Sequence, residues 1–162
     1  MTAFSATAVC LAVAKVGIAH EFFGHVYENI GRIPNRFAQD NRPGVPDQRM
    51  SSLLSPGSPF RYFAPAGPIT VVTALGALVT GRRAADRRPW LVLTAVGVLG
   101  TDALTAYIIR VLNIPLFVAG HTVASPQQES MLRTWYRLNT VRIAVLGGAW
   151  LAATRAQRSQ RP

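Results

Sequence analysis

Four apolar stretches set the pattern of this chain: 4–23, 62–80, 90–113 and 132–153, each dominated by Ala, Val, Leu, Ile and Gly. Each has about the 20 residues that a helix needs to cross a hydrocarbon core of about 30 Å. The pattern predicts an all-α fold, a transmembrane four-helix bundle forming a single domain over residues 1–162. The helices are expected at about 2–30, 62–80, 90–113 and 127–154. Gly31 and Pro34 suit the end of the first helix. Pro34, Pro43, Pro46, Pro56 and Pro59, with Gly44 and Gly57, make 31–61 a long irregular external loop. Pro65 and Pro68 fall in the opening turns of the second helix, where a missing N–H is tolerated. Pro89 and Trp90 open the third helix and Pro115 is expected to end it. Ser125-Pro126-Gln127-Gln128 supplies an N-cap, an N1 proline and an N3 glutamine for the fourth.

Ionisable residues interrupt this picture at mid-depth. Lys15, Asp102 and Arg142 lie near the middle of three stretches. A charge there is costly, so it faces the bundle interior and is paired, or it lines a functional cavity. Lys15 with Asp102, or Asp102 with Arg142, is the expected ion pair.

Composition narrows the function classes. Charged residues make up 15% of the chain and apolar ones 49%, against a usual charged share of about 25% in soluble domains. The net charge of +10 suggests nucleic acid at first. The arginines, however, cluster between and after the apolar segments: Arg82, Arg83, Arg87 and Arg88 in one connection, then Arg155, Arg158 and Arg161. Charges that set membrane topology are distributed in this way, which argues against nucleic acid as partner. The expected partner is the lipid bilayer, in the plasma (inner) membrane. Both termini and loop 81–89 are placed inside, with loops 31–61 and 114–131 outside. Gly17 and Ala19 match a small-x-small cleavage signature, but no basic residue precedes the apolar run and Lys15 interrupts it. The first helix is therefore expected to be retained. The lone Cys10 excludes a disulfide within one chain.

Helical spacing then groups the polar residues. At about 100° per residue, Glu21, His25 and Glu28 form one stripe, as do Trp135, Asn139 and Arg142. Asp102 and Asn113 share a face, with Arg110 beside it. Alternating topology brings the end of the first helix, the end of the third and the start of the fourth to the same half of the bundle. Glu21, His25, Arg110, Asn113, Trp135 and Asn139 are expected to converge there, with Lys15, Asp102 and Arg142 below them.

Each residue also has an ordinary role: Glu28 and His25 at the water interface, Trp135 and Tyr136 in an aromatic belt, Asn113 as a cap before Pro115. The Glu21–His25–Glu28 stripe has metal-ligand residue types. Yet no second helix offers a histidine, and the order is the reverse of the Glu-x-x-His of di-iron bundles, so no metal and no cofactor are expected. Acid–base chemistry fits better: His25 or Glu21 as base, Arg142 and Asn139 holding a developing anion, and Trp135, Asn113, Arg110 and Asp102 lining a site for a flat lipophilic substrate.

Thr105, Asn113-Ile114-Pro115-Leu116 and Leu132-x-x-Trp135-x-x-x-Asn139-x-x-Arg142 resemble the pattern of the anthrone-oxygenase-like family of small four-helix integral membrane proteins. The resemblance covers about residues 65–150. It implies a cofactor-independent oxygenase-like enzyme that uses O₂ on a lipophilic aromatic or polyketide-type substrate. It also implies site roles for Asn113, Trp135, Asn139 and Arg142. Asn139 stands where histidine is frequent in that family, and the loop 31–61 departs from it. The competing expectation is a non-enzymatic membrane assembly protein whose buried charges specify helix pairing, with a homo-oligomer compatible with either.

Overall fold

A computed structural model describes residues 5–35, 59–117 and 125–159. These residues are mostly helical, with turns between the helices and no strand among them. Helix α1 spans Ala6–Ile30, the short α2 Pro59–Phe63, α3 Ala66–Gly81 and α4 Arg88–Ile108. A π-helical turn, Ile109–Asn113, leads directly into α5, Ile114–Phe117, and α6 runs from Ser125 to Arg158. Most of loop 31–61 and the segment around His121 lie outside the described residues.

Three helical stretches are long and apolar enough to cross a membrane: Ala6–Ile30, Arg61–Gly81 and Arg88–Phe117. The fourth expected span, α6, falls short of that measure. It is the longest helix at 34 residues, but Glu129, Arg133 and Arg137 occupy its first half, and Asn139 and Arg142 lie within its apolar stretch.

The starts and stops follow local chemistry. Ser5 caps α1 by accepting a hydrogen bond from the Ala8 N–H at 3.2 Å. Pro65 separates α2 from α3, so the expected helix 62–80 is broken near its start. Pro115 does not end the third helix as expected. A proline ring normally collides with the carbonyl four residues back and leaves that carbonyl without its N–H partner. Here the preceding π turn widens the coil, with the Ile114 N–H bonding to the Ile109 carbonyl, and the chain stays helical to Phe117.

α1 packs against α3 and α6, and α4 against α3 and α6, so each of these four helices touches two others. Their side-chain contacts show that neighbours run antiparallel. Near one end Thr7 bonds to Thr80 at 2.9 Å and Lys15 to Gln157 at 2.9 Å. Near the other, Asn139 reaches the His25 carbonyl and Trp135 reaches Asn113. Two apolar clusters fill the interior between these ends. Ala14, Ile18, Ala74, Val98, Leu146 and Ala149 form one, and Leu11, Ala77, Leu91, Ala153 and Ala156 the other. Alanine and glycine allow the close approach of backbones that drives helix association where lipid offers no hydrophobic contrast. At Gly97, an added Cβ would sit 2.8 Å from the Cβ of Ala149.

Candidate functional site

The end formed by the C-terminal half of α1, the end of α4 and the start of α6 holds a buried polar cluster. Arg142 is its hub. Its Nε donates to Asn139 Oδ1 at 3.1 Å, a terminal nitrogen donates to the same oxygen, and another donates to Thr105 Oγ1 at 3.1 Å. A carboxylate oxygen of Glu28 lies 3.7 Å from the guanidinium, and the Trp135 ring lies 5.7 Å below it. Asn139 is fully buried. Its amide donates to the His25 carbonyl at 2.9 Å and to Asn29 Oδ1 at 2.7 Å, tying α6 to α1. The i, i+4, i+7 spacing of Trp135, Asn139 and Arg142 thus puts all three into one interface, as the sequence predicts.

His25 and Glu28 face this hub from α1. His25 Nδ1 and Glu28 Oε2 are 2.9 Å apart, and both residues are buried, at 3% and 8% exposure. This corrects the expectation that Glu28 and His25 sit at the water interface. The helix-to-helix packing of α1 on α6 continues past them and covers both. With Nδ1 protonated, Glu28 accepts its hydrogen bond and Nε2 is left as a lone-pair acceptor. Among the described residues Nε2 has no hydrogen-bond partner. A carboxylate holding the far nitrogen fixes both the tautomer and the ring direction of a histidine base.

One side of the imidazole is closed by an aromatic cover. Phe63 of α2 stacks on His25 with centroids 4.6 Å apart, and Tyr62 stacks on His20 at 3.9 Å. Gly24 makes this fit possible. A Cβ there would lie 2.6 Å from ring atoms of both Tyr62 and Phe63.

Other predicted residues fall around the cluster. Trp135 Nε1 donates to Asn113 Oδ1 at 2.9 Å, so Asn113 anchors the tryptophan rather than merely capping a helix. Glu21 is buried, and its Oε1 has no hydrogen-bond partner among the described residues. Arg110 is exposed and stands apart from the cluster. The π turn adds a residue to its coil, so the angular count that placed Arg110 inward fails there.

Asp102 is half-buried and makes no hydrogen bond or ion pair among the described residues. The expected pairing of Asp102 with Lys15 or Arg142 is therefore not formed. Lys15 instead extends towards the opposite end, donating to Gln157 and lying 5.2 Å from the Trp150 ring. A long lysine stem favours such a reach out of the apolar interior. Among the described residues no three His, Cys, Asp or Glu side chains group closely enough to hold a metal ion.

A pocket of about 290 Å³ opens beside the cluster, lined by Asn29, Arg32, Asn35 and Tyr136. Asn29 belongs to both, because it accepts from Asn139. Tyr136 donates its hydroxyl hydrogen to Asn35 across the pocket. Arg32 takes a left-handed backbone conformation at φ 47° just after α1 ends. A non-glycine residue there costs on the order of 1 kcal/mol. It takes that turn although Gly31 is one residue away.

Asn29, Phe63 and the pocket were not singled out as site features from sequence, and Glu28 was weighed only as a metal-ligand type in the Glu21–His25–Glu28 stripe, not as the partner of His25. Glu28 had the right signal, since it lies three residues from His25 on the same stripe. Asn29 and Phe63 had none, because only tertiary packing brings them in. No family model, curated protein or solved structure matches this chain.

Proposed function

We propose that this chain is a small integral membrane enzyme of the anthrone-oxygenase-like kind, acting without a cofactor on a lipophilic, enolisable aromatic substrate. The observation that carries the reading is the buried His25–Glu28 pair with Nε2 unpartnered, set beside a guanidinium that other side chains hold in place. In this mechanism His25 removes a proton from the substrate, while Glu28 orients the imidazole and stabilises the imidazolium. Arg142, fixed by Asn139 and Thr105, offsets the charge of the resulting electron-rich anion; O₂ oxidises the deprotonated carbon to a peroxide anion, the proton held on His25 returns to it, and loss of water leaves a ring carbonyl. Glu21, with its unpartnered Oε1, is the alternative base. The pocket at Asn29, Arg32, Asn35 and Tyr136 is the access point for the ring.

The same reading takes the protein as a transmembrane four-helix bundle of the plasma (inner) membrane, with both termini and the Arg82–Arg88 loop inside. The length of α6 supports a fourth crossing, since about 1.5 Å per residue makes it longer than a bilayer core. Its contacts with both Trp90 and Asn113 mean that it runs alongside the whole of α4.

The test is oxygen uptake in detergent with an anthrone-like substrate, comparing the parent with His25→Asn. Asparagine keeps a donor towards Glu28, so folding should be preserved while turnover is lost. Uptake by the variant at the parental rate would end the reading.

A second reading is favoured by how completely Asn139 and Arg142 are bonded within the bundle. On that reading the protein is a non-enzymatic assembly partner and the cluster fixes helix register. No uptake by the parent across a panel of lipophilic phenols, together with loss of assembly in Arg142→Met, would select it.

A further inference from the structure

The opposite end of the bundle carries charges that the protein leaves unanswered. The α3–α4 connection brings Arg82, Arg83, Arg87 and Arg88 to one place, and the end of α6 brings Arg155 and Arg158 to the same place. Packing of Leu91 and Trp90 with Ala153 and Ala156 joins the two groups. Arg155 lies 6.0 Å from the Trp90 ring. None of the six guanidinium groups makes an ion pair or side-chain hydrogen bond among the described residues. The Nε of Arg87 is moreover buried without a partner. Asp86 is the one acid in the connection, and it is exposed.

We propose that this end binds the phosphate headgroups of anionic phospholipids, with Arg87, Arg88 and Arg155 around Trp90 as its centre. Three observations point to lipid as the occupant. First, the arginines stand where the apolar surfaces of α3 and α4 end, which is the level of the headgroups in a bilayer that these helices cross. Second, the flanking surface is lipid-like: Val79, Val92 and Leu93 are exposed beside the arginines, so acyl chains have apolar contacts directly below the phosphate. Third, Trp90 is a half-buried aromatic beside the guanidinium of Arg155, matching the amphipathic rings that settle at this depth. Guanidinium groups bind phosphate oxygens in pairs of N–H bonds, and a buried N–H with no acceptor gains most from such a ligand. The site is independent of the His25 cluster and stands whether or not the chain is an enzyme.

The experiment uses the full chain in detergent, delipidated and then titrated with phosphatidylglycerol, phosphatidylcholine or inorganic phosphate while its melting is followed. Phosphatidylglycerol should raise the melting temperature by several degrees and the other two should not. Arg87→Gln with Arg155→Gln should weaken the apparent phosphatidylglycerol affinity by about fivefold per arginine removed. Arg82→Gln with Arg83→Gln alters only exposed side chains, so it keeps the test open if the first pair fails to fold. It should produce a smaller loss in the same direction. Equal stabilisation by phosphatidylcholine would overturn the proposal. So would inorganic phosphate that reproduces the whole shift, or an unchanged affinity in both double variants.

Discussion

The two ends of this bundle handle charge in opposite ways. At the His25 end, Glu28 and Arg142 are buried, and each is within reach of bonds from its neighbours. At the Arg87 end, six arginines are gathered with no ion pair or side-chain hydrogen bond among the described residues. On the membrane reading proposed above, the difference follows from where each set of charges sits in a bilayer. A charge inside the hydrocarbon must be satisfied by the protein itself. A charge at the headgroups can be satisfied by water and lipid, so the chain need not supply partners. The first end is therefore a designed interior, and the second an exposed face.

Removing one charge from each end should produce the largest difference in stability. Arg142→Met deletes the donors to Asn139 and Thr105 and leaves the buried Glu28 with His25 as its one remaining partner among the described residues, so it should cost roughly 3–5 kcal/mol. Arg88→Met removes an exposed, unpaired arginine and should stay within about 0.5 kcal/mol of the parent. Melting in detergent without added lipid reads both. Adding Glu28→Gln to Arg142→Met should recover part of the loss, because no buried carboxylate is then left without its cation while the amide oxygen can still accept from His25. Equal losses from Arg142→Met and Arg88→Met would end the contrast.

A smaller effect is expected at the aromatic cover. Gly24→Leu drives a side chain into Tyr62 and Phe63, which must move off His20 and His25. Overpacking of this kind costs about 1–3 kcal/mol. The melt should fall, and His25 should become more accessible to diethyl pyrocarbonate. Unchanged reactivity would mean that α2 is not what shields the imidazole.

Much of the first end was legible because helical spacing survives folding. The Trp135–Asn139–Arg142 row and the Glu21–His25–Glu28 stripe are arithmetic on a regular coil, and short connections between antiparallel helices bring their ends together. What escaped the arithmetic has physical causes. The π turn at Ile109–Asn113 changes the angle per residue, so Arg110 points away while Asn113 still meets Trp135. Pro115 reads as a stop, yet that widened turn absorbs it. Lys15 and Asp102 were matched by depth along the chain, but a flexible four-carbon stem lets Lys15 find Gln157 instead. Phe63 reaches His25 only because a short helix folds back over Gly24, and no local pattern announces that. The all-helical architecture and three apolar helices were plain from composition, whereas the apolar stretch read at 132–153 lies in a helix that also carries Glu129, Arg133, Arg137 and Arg142.

Removing the Trp135 anchor should have a modest effect. Trp135→Phe keeps the ring beneath Arg142 but loses the Nε1 bond to Asn113, worth about 1 kcal/mol. Asn113→Leu should cost a similar amount, and the double variant little more than either alone. Full additivity in that cycle would show that the bond at 2.9 Å carries no coupling.

The smallest effects are expected where depth alone suggested an ion pair. Asp102 is half-buried with no hydrogen bond or ion pair among the described residues, so burial penalises its charge and none of those residues offsets it. Asp102→Asn should therefore be neutral or slightly stabilising, whereas a paired aspartate would cost several kcal/mol to neutralise. Lys15→Met gives up the Gln157 bond and the contact with Trp150, which at a half-exposed site is worth about 0.5–1 kcal/mol. Because Lys15 reaches towards Gln157 and makes no bond to Asp102, the two changes share no partner. Their combination should be additive within about 0.5 kcal/mol. A larger coupling in the melts of the four proteins would restore the Lys15–Asp102 pair and blur the line between the two ends, since Lys15 would then belong to the interior rather than to the arginine face.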